Sequence, residues 1–461
     1  MSLAELAELL PGATLITSGD VLKEHAGDWS SSSLLRAQRD ALTPPAAVLR
    51  PSTASEVAVA LRWASETGTA VIPAGGRSGV SGGAVSHGGE LVIDLRGLDR
   101  VLELDEVSGI VRVQAGILGT DLEAWLNERG HTLGHFPQSV ALSTVGGWIA
   151  ARSAGQLSSG YGAIEDFLVA LTAALPDGSL ATSRPVPRTA AGIQLFRLFL
   201  GSEGTLGVVT EAWLRVRRAP AARHFASLAF ESFNAGLEAV RRMAQGRALP
   251  DAVRVYDETD TSIQFRSFDP APAGCTAVLV TEGDESGARQ RLDRALAAAA
   301  GTPLDDDLAG HWWKHRNDAA TTYKQVLSGE LLGPDVAADT IEVAAIWSRV
   351  EPVYAAVRGA LSPHAEVVGC HCSHAYETGC ALYFTFVLRS DDREQALERA
   401  WHDALDAAIE SGGTMTHHHG VGQLKMAWLS RELDGFAPYL ARVQEVFDPS
   451  GVMNPHTLRA R

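Results

Sequence analysis

Lysine is nearly missing from this chain. Among 461 residues only Lys23, Lys314, Lys324 and Lys425 are lysines, and arginine carries the remaining positive charge. The formal net charge is −16. Such a balance argues against a nucleic-acid polyanion as the main partner, since phosphate backbones are gripped by an excess of cations. Cysteine is just as scarce. Cys275, Cys370, Cys372 and Cys380 are the whole set. Their C-x-C-x7-C run matches no common zinc spacing, so reduced thiols and no bound metal are expected. No apolar run reaches the roughly 18 residues that a membrane helix needs, so no transmembrane segment is expected. The opening residues, MSLAELAELLPG, lack both a basic stretch and a long apolar stretch. No secretory signal is read there, and the cytoplasm is the expected location. Apolar residues make up 46% and charged residues 20%, as in an ordinary globular protein, and the length implies two domains.

What the chain does have is a block of histidines and glycine in clusters. His417-His418-His419 runs into Gly420-Val421-Gly422. Imidazole loses its charge near neutral pH, so adjacent histidines are costly unless they share protons or bind an anion. The two glycines let backbone N–H groups approach a bound molecule closely. The loop is therefore read as a reactive site rather than a solvated turn. Lys314 and Lys324 lie in one basic-aromatic segment and Lys425 follows the histidine loop. In a lysine-poor chain this placement points to all three as anion contacts.

The local patterns predict alternating helices and strands in the first half. Thr53 and Glu56 have capping-box spacing, with Val57, Leu61 and Trp63 following before Gly68 closes the helix. Thr120 and Glu123 repeat that spacing ahead of Leu122, Trp125 and Leu126. Residues 91–95, 101–104 and 110–113 read as strands. Hairpin-length links between strands favour an α+β fold over strict βαβ alternation. The composition shifts at the run RVRRAPAAR, residues 215–223, which reads as a linker or edge. Beyond it, 233–243 reads as an amphipathic helix and 276–281 and 381–388 as strands.

Three glycine loops stand out. The first is Pro73-Ala74-Gly75-Gly76-Arg77-Ser78-Gly79-Val80-Ser81-Gly82-Gly83, fed by the apolar pair Val71-Ile72. Its successive N–H groups and serine hydroxyls suit a pyrophosphate. Its spacing matches neither a P-loop nor the nicotinamide-binding G-x-G-x-x-G turn. The second holds Pro137, Gln138 and Ser139, then Ser143, Thr144, Gly146 and Gly147, and runs on through Ala150, Arg152 and Ser153. The third holds Glu203, Gly204, Thr205, Gly207, Val208 and Val209. All three are expected to line a cofactor.

Together with GSEGTLGVVTEAWLRV and PQSVALSTVGGWIAARSAGQLSSGYGAIEDFLVAL, these loops resemble the FAD-binding domain of the vanillyl-alcohol-oxidase-type flavoproteins. Within that family, STVGGW, YGAIED, SHAYETG and HHHGVG are most similar to the alkyldihydroxyacetonephosphate synthases. The resemblance implies an α+β fold with a two-part FAD-binding domain over 1–218 and a cap domain over 219–412. It also implies a C-terminal segment, 413–461, that brings the histidine loop back to the flavin. Neither Arg77 nor Arg152 has a histidine neighbour suited to a flavin bond, so the FAD is expected to be non-covalent. The implied reaction exchanges the acyl group of acyl-dihydroxyacetone phosphate for a fatty alcohol through a flavin N5 adduct, with no net redox change. Position by position, Tyr376, His417, His418, His419 and Arg316 are the implied catalytic residues, and Arg254 faces the substrate phosphate. The implied partner is a phosphate- or carboxylate-bearing small molecule, with a homodimer expected and peripheral membrane contact left open. The metal-assisted hydroxyacid dehydrogenase branch carries a glutamate where this chain has His418. Its metal segment is replaced here by His371-Cys372-Ser373-His374-Ala375-Tyr376. Two other readings stay open: an FAD-linked oxidase or dehydrogenase on a hydroxyacid or alcohol, and an inactive FAD-binding scaffold.

Overall fold

The computed structural model describes residues 2–459, leaving aside the side chains of Ala319 and Ala320. Its first sheet contains β1 (Thr14–Ile16), β2 (Ala47–Arg50), β3 (Val71–Ala74) and β4 (Leu91–Asp94), in the order β1-β2-β4-β3. β2, β4 and β3 run parallel, so β2 and β3 need a crossover, supplied by the helix Ala54–Thr67. That helix begins at the expected capping box of Thr53 and Glu56 and ends at Gly68, whose φ of 68° is left-handed. Its buried face, Val57, Leu61 and Trp63, packs on the sheet core with Leu49 and Ile93.

Next come β5 (Val101–Asp105), β6 (Ile110–Gln114), β7 (His131–Thr132), β8 (Leu168–Ala174), β9 (Leu180–Thr182), β10 (Val208–Arg215) and β11 (Arg217–Arg218). Five of them make an antiparallel sheet in the order β5-β6-β10-β8-β9. β7 and β11 pair separately, so the arginine-rich stretch forms a short ladder rather than a free linker. The second expected capping box does not form. The helix there starts at Gly119 with Leu118 as its N-cap and no side-chain cap. Glu123 is buried and instead accepts from Thr132 Oγ1 at 2.9 Å and the N–H groups of Leu133 and Gly134 at 2.9 and 3.0 Å. Three buried donors outcompete one solvent-exposed amide for that carboxylate.

The third sheet is antiparallel and takes all its strands from one stretch of chain. They are β12 (Ala222–Phe230), β13 (Ala252–Tyr256), β14 (Cys275–Gly283), β15 (Thr302–Leu304), β16 (Val336–Ile346), β17 (Val367–Ala375) and β18 (Gly379–Arg389). Their order is β15-β12-β14-β13-β17-β18-β16. One face is covered by the helices Phe233–Gln245, Trp347–Leu361 and Arg393–Glu410, whose buried Leu237, Val240, Val353, Val357 and Leu405 meet Val255, Leu279, Val343 and Leu382. Each such fully buried side chain contributes roughly 1.5–3 kcal/mol. The other face carries the polar residues described below. The chain end returns to the first sheet, where Val71 N–H donates to Val452 O at 2.8 Å and Asn454 N–H to Val71 O at 2.8 Å. No helix among the described residues is long and apolar enough to cross a membrane.

Candidate active site

Strand register sets up the site. Glu342 on β16 lies opposite Tyr383 on β18, Tyr383 opposite His371 on β17, and His371 opposite Tyr256 on β13. Directly paired residues share a face, and Arg254 shares it with Tyr256 two positions away. A polar row therefore crosses the sheet on the side away from the helices. A register shift between Cys372 and His374 adds a bulge to β17. Three positions apart, His371 and His374 would otherwise point to opposite faces; the bulge re-aims His374 toward the histidine loop. The His374 ring lies 4.9 Å from His417 and 4.8 Å from His418, while His371 stacks on Tyr383 at 5.0 Å.

Two carboxylates from different parts of the chain hold the loop 416–422. Fully buried Glu342 accepts from the N–H of His417, from the N–H of His419 at 3.0 Å, from Thr416 Oγ1 at 2.7 Å and from Lys425 Nζ at 3.0 Å. Burial opposes its ionisation, but the charge of Lys425, with the His417 N–H bond, outweighs that and keeps its carboxyl well below the usual carboxylate range. Glu203 accepts from Val421 N–H at 2.6 Å and Gly422 N–H at 2.8 Å. The first glycine loop touches the same segment: Gln423 and Leu424 donate their N–H groups to Ser81 O at 2.9 and 3.1 Å. A Cβ on Gly422 would lie 1.9 Å from that oxygen. With φ at 52° as well, glycine is required there.

Inside this frame the phenol oxygen of Tyr376, in the β17–β18 turn, lies 2.6 Å from His417 Nε2. His417 Nδ1 lies 2.9 Å from His418 Nδ1, and His374 Nδ1 lies 2.6 Å from Ser158 Oγ. Burial holds the pKa values of His417, His418 and His374 below that of free imidazole, and pushes His419 down to about 4. The imidazoles are thus neutral and can accept protons. Burial, then the charge of Glu165, raises the Tyr376 phenol, so it keeps its proton at neutral pH. A cleft of about 450 Å³ opens beside Tyr376, lined by Ala345, Ile346, Gly379, Cys380, Arg431 and Glu432 among others.

Arg254 and Arg316 have no carboxylate partner among the described residues. Arg254 Nη1 meets His371 Nε2 at 3.2 Å, and its Nε is buried without a partner. Arg316 stacks on Trp313 at 3.8 Å and donates to Trp313 O, and its Nε is likewise orphaned. Burial, then Arg223, pushes its pKa down to about 10, so it stays charged at neutral pH. The neighbouring Asp318 pairs with His315 instead, at 2.9 Å.

The three lysines expected as anion contacts fall in different places, and Lys425 already has a protein carboxylate. Lys425 is fully buried, bonded to Glu342 and to Thr416 Oγ1 at 2.9 Å. A buried ammonium demands a carboxylate, and Glu342 provides it, so Lys425 braces the loop from within. Lys314 is exposed on the helix Asp307–His315, and exposed Lys324 sits over the Trp29 ring at 3.6 Å. Of the three, Lys425 lies directly behind His417, its ammonium on Thr416 and on the carboxylate that holds the His417 N–H. The carboxylate of Glu203, expected at a cofactor, is committed to the histidine loop.

The glycine loops close on one another. A Cβ on Gly76 would lie 1.5 Å from Leu142 O, and one on Gly75 would lie 2.1 Å from Thr144 Oγ1. At Gly79 it would meet nothing within 4 Å, and at Gly147 only Thr144 Oγ1, at 3.4 Å. The two loops thus contact each other through bare backbone and border open space. Arg77, at φ 52°, leaves its buried Nε without a partner there. Such a cradle fits the pyrophosphate of a dinucleotide such as FAD. Arg152, by contrast, pairs with Glu165 at 3.1 Å.

Comparison with known proteins points to the same cofactor. Residues 219–458 match the family model "FAD linked oxidases, C-terminal domain", and residues 45–184 match "FAD binding domain". The chain is 28% identical over 456 residues to alkyldihydroxyacetonephosphate synthase of Trypanosoma brucei brucei, covering 90% of this chain and 73% of that one. It is 29% identical over 477 residues to an uncharacterized FAD-linked oxidoreductase of Escherichia coli (strain K12), covering 98% and 97%. A solved alkyldihydroxyacetonephosphate synthase superposes with a TM-score of 0.81 at 24% identity, covering 99% and 85%, a likeness of fold.

Proposed function

Since the chain belongs to the FAD-linked oxidases of the vanillyl-alcohol-oxidase type and binds FAD, we propose that it is an alkyldihydroxyacetonephosphate-synthase-like transferase. It would exchange the acyl group of acyl-dihydroxyacetone phosphate for a fatty alcohol without net redox change. The observation that carries this reading is the Tyr376–His417–His418 hydrogen-bond chain, held in the same fold as the guanidinium groups of Arg254 and Arg316, each free of carboxylates and with an unpartnered buried Nε. FAD, bound non-covalently, would supply the electron-pair acceptor and donor for the substrate carbon. In this assignment residues 1–218 hold FAD, 219–412 form the cap, and 413–461 carry the histidine loop back to it.

The chain's own groups manage protons and charge. The incoming alcohol gives its proton to Tyr376 Oη while the phenol proton moves to His417 Nε2 and the Nδ1 proton of His417 moves to His418 Nδ1. No bare phenolate is needed, which suits a phenol whose pKa is raised. Proton transfer of this kind contributes about 10²–10⁴-fold in rate. Arg316 would hold the departing carboxylate through its planar fork, and Arg254 the phosphate. The cleft beside Tyr376 is the route we assign to the alcohol.

A second reading, an FAD-linked oxidase or dehydrogenase on a hydroxyacid or alcohol, is supported by the Escherichia coli relative. The same tyrosine and histidine would take the hydroxyl proton. The two readings part under anaerobic conditions. If the transferase reading is right, acyl-dihydroxyacetone phosphate and a fatty alcohol turn over with the flavin left oxidised at the end. Lasting bleaching of the flavin by an alcohol or hydroxyacid would favour the second.

A further inference from the structure

Arg254 is held from behind by a two-residue relay. His371 Nε2 faces its Nη1 at 3.2 Å, and His371 Nδ1 faces Asp260 Oδ2 at 2.6 Å. All three side chains are buried. A guanidinium has only donors, so His371 Nε2 must accept. The ring proton therefore sits on Nδ1, where the Asp260 carboxylate accepts it. Burial keeps the His371 pKa down, so the ring carries that one proton at neutral pH. Asp260 is fixed in turn in the first turn of the helix Glu258–Gln264, where its own N–H donates to Asp257 Oδ1 at 2.8 Å.

The spacing has a chemical consequence. A carboxylate placed directly on Arg254 would neutralise it and occupy its fork. Here the carboxylate is one imidazole removed. It offsets part of the cost of burying the cation, yet leaves Nε and the other N–H groups for an incoming anion. We propose that Asp260 and His371 are positioning residues that fix the ring tautomer and thereby aim Arg254 at a phosphate monoester group of the substrate. This rests on the reading of Arg254 as the phosphate contact.

Calorimetric titration of the FAD-loaded protein with inorganic phosphate tests it. Arg254→Ala should weaken phosphate binding about tenfold or more, the size expected for a charge-assisted contact. Asp260→Asn should do the same with FAD content unchanged, because its amide N–H₂ can donate to Nδ1 and drive the ring proton to Nε2, against Arg254. His371→Gln offers an acceptor oxygen without a tautomer and should bind nearly as the parent does. The double variant Asp260→Asn/His371→Gln should recover that level, a rescue that a merely structural aspartate would not give. If Asp260→Asn fails to hold FAD, His371→Leu, which removes the acceptor, decides in its place by weakening binding to the same degree. Parent-like binding by Asp260→Asn beside a weakened Arg254→Ala would overturn the relay alone, as would a double variant that does not recover. Parent-like binding by Arg254→Ala, or a parent that binds no phosphate, would overturn the phosphate contact and the relay with it.

Discussion

Tyr376 and His417 are 41 positions apart in sequence, yet the phenol oxygen of one lies 2.6 Å from Nε2 of the other. The β17–β18 turn presents the tyrosine, and the carboxylates of buried Glu342 and half-buried Glu203 pin the histidine loop in front of it. Tyr376→Phe keeps the ring and removes the hydroxyl. Turnover should fall by about 10²-fold or more, with FAD content and melting temperature unchanged. Steady-state kinetics on any accepted substrate checks this, and a parent-like kcat would remove Tyr376 from the proton path.

Arg316 offers a stacked, unpaired guanidinium. Arg316→Lys keeps one positive charge but loses both the fork and the packing on Trp313. The expected loss is about tenfold or more in kcat/KM. Full activity in the lysine variant would mean that a point charge suffices and that no carboxylate is gripped there.

Glu342 and Lys425 form a wholly buried ion pair. Glu342→Gln should destabilise the fold by about 3–5 kcal/mol, because it strands a buried ammonium. The double variant Glu342→Gln/Lys425→Met should lose less than the single one. Denaturant unfolding of parent, single and double variants measures the difference. Equal losses would show that the glutamate acts mainly through the loop amides rather than through the lysine.

The depressed histidines make stability depend on pH with a definite sign. His419 is pushed down to about 4 in the fold, against 6.5 for a free histidine. Between those values the unfolded chain binds the extra proton and the folded chain does not. The contribution of His419 is therefore whole above pH 6.5 and is lost as pH falls toward 4, by on the order of 1 kcal/mol per pH unit. His417, His418 and His374 shift in the same direction. Unfolding free energies at pH 7.5 and 5.5 should show this loss, and His419→Gln should reduce it without abolishing it. A profile that is level between those pH values would contradict neutral burial of the cluster.

Much of this was legible in the sequence. The helix after Thr53 announced both its ends, and the strands β14 and β18 could be read from their apolar residues. The three glycine loops and the histidine block carried the family resemblance. Other features depended on long-range packing. Glu123 sits at the right spacing for a cap but finds three buried donors in the chain around β7. Lys425 looks like an exposed anion contact because nothing near it in sequence hints at Glu342. That glutamate left one local trace, a charge in the middle of the apolar alternation of β16. Asp260 and His371 lie 111 residues apart and meet only through the pairing of β13 with β17.

The central claim is group exchange without net redox change, and product analysis tests it most directly. The purified FAD-loaded protein would be incubated with acyl-dihydroxyacetone phosphate and an isotope-labelled fatty alcohol, and the products resolved by mass spectrometry. The account predicts labelled alkyl-dihydroxyacetone phosphate and free fatty acid in equal amounts, with no aldehyde and no hydrogen peroxide. Oxidation of the alcohol to aldehyde, with no label in the phosphate ester product, would contradict it.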